Sequence, residues 1–220
     1  LKRVGSRRDG GGSGGRTYAA WLRSLGLICE ETTTKQVYLT LAGEAIIDGK
    51  SPVKVLRKQV LEYQFPSQFS ISVHVNERFK IKPFRFLLQL LMDERIETLS
   101  TDEVGKIVIT EAETERDYET IVNRIIAYRN FGDDVLSDDF FAKYIPDVNP
   151  ESTDPYQKLK DIANTMFNWL EYTQLIGRDT GIIFIPEENR EEIKRILEEK
   201  SPLIANPNDA EFFQRKYGID

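Results

Sequence analysis

One cysteine, one histidine and two methionines are all that 220 residues contain of the softer ligand side chains. The lone Cys29 excludes an internal disulfide framework and a cysteine-built zinc site, and it fits a reducing cytoplasm. Flanked by Ile28 in an apolar run, it reads as a small buried hydrophobe. The lone His74 removes metal sites and proton relays that need paired imidazoles, and its polar surroundings assign it to a loop or surface. No apolar run reaches the ~18 residues of a bilayer span, and no charged-then-apolar leader opens the chain, so no membrane is expected as a partner and the cytoplasm is the expected location. The first residue is Leu rather than Met, which reads as a chain processed or excised from something longer.

A net positive charge is missing as well, since the chain carries −6 overall. Its distribution is lopsided. Residues 1–85 hold 15 Lys/Arg against 7 Asp/Glu, whereas the remainder holds 15 against 29. A half at +8 and a half at −14 imply a face for a polyanion and a face for something else. The 40% apolar and 30% charged content is ordinary for a globular protein of one large or two small domains.

The pattern along the chain predicts a mainly α fold with small β-hairpins (α+β), arranged as tandem winged-helix-like domains. Residues 1–15 form a basic, glycine-rich arm, expected to be mobile when free. A helix over Arg16–Leu25 follows, with Tyr18, Leu22 and Leu25 on one face, and Gly26 stops it. Two β-rich runs, Leu27–Cys29 and Val37–Leu41, read as a hairpin around Glu30–Gln36. Leu41–Asp48 is helical again, ended by Gly49, and helix, hairpin, helix is the closing part of a winged helix. A proline-started helix occupies 52–64. Phe65–Arg78 reads as a loop near the boundary between a DNA-facing unit (1–75) and an acidic unit (76–220).

The second unit begins with a helix at Ile81–Met92 whose Phe84, Leu87, Leu88 and Leu91 face inward. Ser100-Thr101-Asp102-Glu103 supplies a capping signal for a helix carrying Val104, Ile107 and Val108. A long helix is expected at Glu113–Asn130, then an acidic loop with a short helix at Phe140–Tyr144. The end repeats the earlier order: helix Tyr156–Tyr172, a turn at Arg178–Gly181, strand Ile182–Ile185 and helix Glu188–Lys200. Trp21, Trp169, Phe167, Phe212, Phe213 and Tyr217 read as core.

The candidate DNA contacts lie in the basic half. Arg3, Arg7, Arg8 and Arg16 occur among glycines, where backbone can approach phosphates. Arg16, Ala20 and Arg23 fall at i, i+4 and i+7, opposite the apolar face. Arginine can grip guanine with both prongs and alanine can pack on a thymine methyl, so this stripe could read bases. Thr17 beside it, Lys35 in the hairpin turn, and Lys54, Arg57 and Lys58 on the next helix complete the set. The bland alternative is a tail and a solvated helix face. The helix-turn-helix pattern at 81–109 points away from DNA, because its second helix opens with Asp102 and Glu103 and offers one lysine, Lys106.

Pro146-Asp147 and Glu192-Ile193-Lys194 mimic the metal-binding motif of DNA nucleases, in which the acids hold magnesium. That chemistry needs Glu-X-Lys on a strand. Here it falls in NREEIKRILEEK, an amphipathic helix on which residues two apart point in different directions. No catalytic or metal-binding residue is therefore expected in this chain.

The order of motifs resembles the recognition region of AlwI-like type IIS restriction endonucleases and their strand-nicking relatives. The residues that carry it are "GLICEETTTKQVYLTLAGEAIIDGKSPVKVLRKQVLEYQFPS", "IKPFRFLLQLLMDE", "IVNRIIAYRN", "DIANTMFNWLEYTQLIG" and "EFFQRKYG". The resemblance implies a region that recognises a short asymmetric site in double-stranded DNA as a monomer. Cleavage would belong to a separate magnesium-dependent nuclease domain or subunit, so magnesium is expected there and no cofactor here. It also implies upstream helices of the first winged helix that this sequence does not contain. A winged-helix transcription regulator, which usually reads a palindrome as a dimer, and a winged-helix protein-interaction module share the pattern and remain alternatives.

Overall fold

The computed structural model describes residues 13–30, 34, 36–67, 78–144 and 156–204, with backbone alone at 13, 14, 16 and 17. The first element is helix α1, Ser13–Ser24, which extends into the glycine-rich arm further than the expected start at Arg16. Once the later turns are formed, each added residue needs only one more hydrogen bond, so two glycines do not stop it. Its C-terminus is closed by a Schellman motif: Leu27 N–H donates to Leu22 O and Gly26 N–H to Arg23 O, with Gly26 at φ +65.

Strands β1 (Ile28–Glu30) and β2 (Val37–Leu39) then pair antiparallel, Cys29 opposite Tyr38. Thr40 joins this hairpin to what surrounds it. Its hydroxyl donates to Gly26 O and accepts from Gly43 N–H, capping helix α2 (Leu41–Ile47). Helix α3, Pro52–Glu62, starts with proline at its first position, as expected.

Helix α4 (Pro83–Met92) buries Phe84, Phe86, Leu87, Leu88, Leu90 and Leu91, more than one face of the helix, which places it at the centre of the molecule. Ile81, expected inside this helix, instead bridges Phe65 in an antiparallel pair. Strand β3 (Thr98–Ser100) follows, and Ser100 and Glu103 form a capping box at the start of helix α5, residues 101–111. Val104–Val108 within it is π-helical. At Gly105 an added Cβ would lie 3.2 Å from the Leu159 backbone, so α5 is in close contact with the chain at Leu159.

Helix α6 runs from Tyr118 to Phe131, shorter than the expected Glu113–Asn130 at its start. Thr114 and Asp117 cap a tight turn that uses up the intervening residues. Helix α7 is Asp138–Tyr144 and helix α8 is Gln157–Tyr172. Strands β4 (Gly177–Asp179) and β5 (Ile182–Phe184) form the second hairpin, which β3 joins in the order β3-β5-β4. Arg178 and Asp179, expected in a turn, are thus in a strand. Helix α9, Arg190–Glu198, buries Ile193.

One continuous apolar core runs from Leu25 through α3, α4, α5, α6 and α8 to Ile193. Trp169 stacks on Phe84 at 5.6 Å, and Phe167 and Cys29 are buried as expected. Trp21 is not: with Tyr18 and Leu22 it is exposed, and only Leu25 of the expected apolar face is covered. His74, Phe212, Phe213 and Tyr217 lie outside the described residues.

Candidate nucleic-acid interface

Helix α3 places the basic residues of the first half in two different environments. Lys54 and Lys58, four residues apart, share one exposed face, and Lys50 is exposed just before the helix begins. Arg57 is half-buried and turned inward. Its Nε donates to Thr173 O at 2.7 Å and its Nη1 to Glu192 Oε1 at 2.5 Å. Those partners cap the end of α8 and belong to α9.

The same inward use recurs one helix later. Lys82, 2% exposed, donates at 2.5 Å both to Glu62 Oε2 and to Ser201 Oγ. Arg85 donates to the carbonyls of Ile196, Leu197 and Glu199, the chain end of α9. Gln64 exchanges hydrogen bonds with Ile204. Residues 192–204 are therefore fastened back onto 57–85, and three of the basic residues that make the first half positive are occupied in doing so. Sequence reading missed this role for Lys82 and Arg85. The available signal was a cation inside the apolar run IKPFRFLL, which must find an acceptor if it is buried.

On α1, Ala20 is exposed, whereas Arg23 is half-buried and donates to Glu30 Oε2 at 2.5 Å across to β1. The side chains of Arg16 and Thr17 are not described, and Arg3, Arg7, Arg8 and Lys35 lie outside the described residues. Of the sequence-predicted set, the structure brings Lys54 and Lys58 together on one exposed face, and it holds Arg23 and Arg57 against carboxylates.

Three cations of the acidic half are paired within it. Lys106, 5% exposed, donates to Asp133 Oδ1 at 2.7 Å and to the Tyr128 hydroxyl at 3.0 Å, and lies 3.9 Å from the centre of the Tyr156 ring. Burial, followed by its hydrogen bond to Asp133, pushes the Tyr156 hydroxyl up to about 12. Arg124 grips Glu111 with two nitrogens and Arg129 pairs with Glu103. The second helix of the 81–109 pattern thus buries its lysine and holds Asp102 beside Lys160 at 3.4 Å, which leaves no exposed cation on it for a phosphate.

The nuclease-like motif has no strand geometry. Glu192 and Lys194 sit on α9, with Glu192 on Arg57 and Lys194 exposed, and Pro146 and Asp147 lie outside the described residues. Among the described residues no group of three or more His, Cys, Asp or Glu is gathered that could hold a metal ion. No described helix is long and apolar enough to cross a membrane.

The family model of the AlwI restriction endonuclease matches residues 23–218. The chain belongs to that family. It is similar in fold to a solved structure described as pyrene- and phenanthrene-modified DNA in complex with the BpuJ1 endonuclease binding domain. The TM-score is 0.67 at 16% identity, and the match covers 98% of this chain and 81% of that one. No curated protein sequence matches the chain.

Proposed function

We propose that this member of the AlwI restriction endonuclease family is a DNA-recognition region that binds a short asymmetric site in duplex DNA as a monomer, its parent being a type IIS restriction or nicking endonuclease. The observation that carries the reading is the exposed cationic face of α3, with Lys54 and Lys58 beside Lys50. Its position after a helix–hairpin–helix stretch fits a winged-helix reading of residues 1–75, with the acidic unit after it. Family membership supports a DNA substrate for the parent, and the fold is shared with a domain described in complex with DNA. The arm residues Arg3, Arg7, Arg8 and Arg16, with Thr17, Ala20 and Lys35, are assigned to the same surface. Magnesium chemistry is assigned to a nuclease domain or subunit apart from these residues.

Selection of duplexes from a randomised pool by the purified chain, followed by footprinting, tests the proposal. The expected outcome is one asymmetric motif, protected in a salt-sensitive manner. A palindromic motif bound by two copies would favour a transcription regulator, and absence of salt-sensitive binding would leave a protein-interaction module. Incubation with a plasmid and magnesium should leave the DNA intact. Nicking that Lys194→Ala abolishes would restore the catalytic reading.

A further inference from the structure

Arg57 lies between Lys54 and Lys58 in sequence yet has a different environment. Its guanidinium is 27% exposed and spans two partners more than a hundred residues away, the Thr173 carbonyl and the Glu192 carboxylate. Thr173 ends α8, and the chain then turns through Gln174 at φ +58. Asn189 holds the next two carbonyls of that turn, donating to Gln174 O at 3.2 Å and Leu175 O at 3.0 Å. The turn between α8 and β4 is therefore gripped by Asn189, just ahead of α9, and by Arg57, from α3. Nε is engaged on a helix C-terminus and Nη1 on a carboxylate, and both partners are favourable for a cation. A phosphate that drew the whole side chain away from the turn would have to displace both partners.

We propose that Arg57 and Glu192 are positioning residues for DNA binding: they touch no DNA, and they fix where α3 carries Lys54 and Lys58 relative to the second unit. The inference rests on the DNA-recognition reading given above. It departs from the sequence-level assignment of Arg57 to phosphate, and it gives Glu192 a use other than metal binding.

The two roles predict opposite signs for one substitution. If Arg57 moved onto phosphate, Glu192 would be its competitor, and Glu192→Gln would tighten binding and steepen its salt dependence. If the pair is a strut, Glu192→Gln loosens α3 and weakens recognition although it removes a negative charge. The probe is a fluorescein-labelled duplex recovered by the wild-type chain from a randomised pool, with the unselected pool as comparison, followed by anisotropy over a range of salt. Thermal melts fix a temperature at which every variant is folded.

Glu192→Gln and Arg57→Lys should each lower affinity for the selected duplex by about fivefold or more, with less loss on the unselected pool. The log–log salt slope should stay at the wild-type value, whereas Lys54→Gln should shrink it by about one. The double variant should lose no more than either single one. Tighter binding by Glu192→Gln, or a slope reduced by one in Arg57→Gln, would overturn the proposal while leaving DNA recognition intact. A wild-type chain that enriches no duplex and shows no salt-sensitive binding would remove the functional reading, and this inference with it.

Discussion

The two helix–hairpin–helix stretches share an order of elements and differ in what surrounds them. In α1–β1–β2–α2, all three residues of β2 are exposed, Val37 at 53%, Tyr38 at 47% and Leu39 at 46%. In α8–β4–β5–α9 the corresponding strand β5 lies between β3 and β4, with Ile183 at 0%. The first hairpin leaves the whole of β2 exposed; the second buries Ile183 at the centre of its sheet while Ile182 and Phe184 stay exposed. Apolar side chains left in water on a small sheet mark a contact surface, whereas the same residue types inside a three-stranded sheet only pack. Local grammar therefore does not assign the role of a wing, and neighbours do.

The largest effect should come from taking apart the second hairpin. Ile183→Ala removes a fully buried side chain from the central strand and should cost about 2–5 kcal/mol in urea denaturation. Val37→Ala, in the exposed strand, should stay within about 0.5 kcal/mol. Equal losses would erase the distinction between the two hairpins.

Each unit is also built around a glycine, and the two differ in what can yield. A Cβ on Gly43 would lie 2.1 Å from the Leu27 carbonyl oxygen, which is backbone held in the α1–hairpin junction. Gly43→Ala should therefore destabilise by about 2–3 kcal/mol. A Cβ on Gly177 would meet the Phe184 ring at 2.5 Å, but that ring is 37% exposed and can swing outward. Gly177→Ala should cost under about 1 kcal/mol by the same melts. The reverse order would mean that the hairpin junction is softer than its hydrogen bonds imply.

Charge separates the two halves of the sequence, +8 for residues 1–85 against −14 for the rest. Reversing Lys54 and Lys58 to Glu should weaken DNA binding about tenfold or more, across all sequences, and shrink the salt slope by about one unit per lost phosphate contact. Reversing Lys194 and Arg195 on α9, both exposed, should change little. Equal losses from the two pairs would place the acidic unit on the duplex as well.

Much of this architecture was legible because it is set locally. Pro52, Gly26 and the Ser100–Glu103 box announce helix ends through their own backbone chemistry, and all three act as expected. The unread parts depend on distant partners. Strand β3 has three residues and no alternation to detect, and it exists because β5 lies beside it. A helical wheel puts Arg23 and Arg57 on polar faces, but it cannot reveal Glu30, Thr173 or Glu192 waiting there. The apolar spacing of Tyr18, Leu22 and Leu25 marked a face without showing that Leu25 is buried while Tyr18 and Leu22 stay exposed. Of the candidate site, Lys54 and Lys58 lie on the exposed face that their four-residue spacing on a helix implies.

The smallest effect concerns the seam where the first unit meets the segment after α9. Glu62, at the end of α3, accepts from Lys82 and from Ser201. Burial pushes its carboxyl up, but the Lys82 hydrogen bond and charge, with the Ser201 hydroxyl, outweigh it and hold the group below its ordinary value. A lowered carboxyl pKa contributes stability that is complete above the unfolded value and lost as pH falls through the folded one. The loss should therefore begin near pH 4 and continue below it. Glu115 has the opposite sign, because burial raises it against the Lys82 N–H and the charges of Arg85 and Lys82. Its ionised form costs stability at neutral pH, and that cost should begin to fade, as pH drops, before the Glu62 loss sets in. Glu62 is 38% exposed, so solvent screening keeps its share to roughly 0.5 kcal/mol or less. Melting temperatures followed from about pH 7 to pH 3 should show Glu62→Gln flattening the lower limb and Glu115→Gln the upper one. Should Glu62→Gln reproduce the wild-type curve below about pH 4, the seam is held by Lys82 and Ser201 without help from this carboxylate.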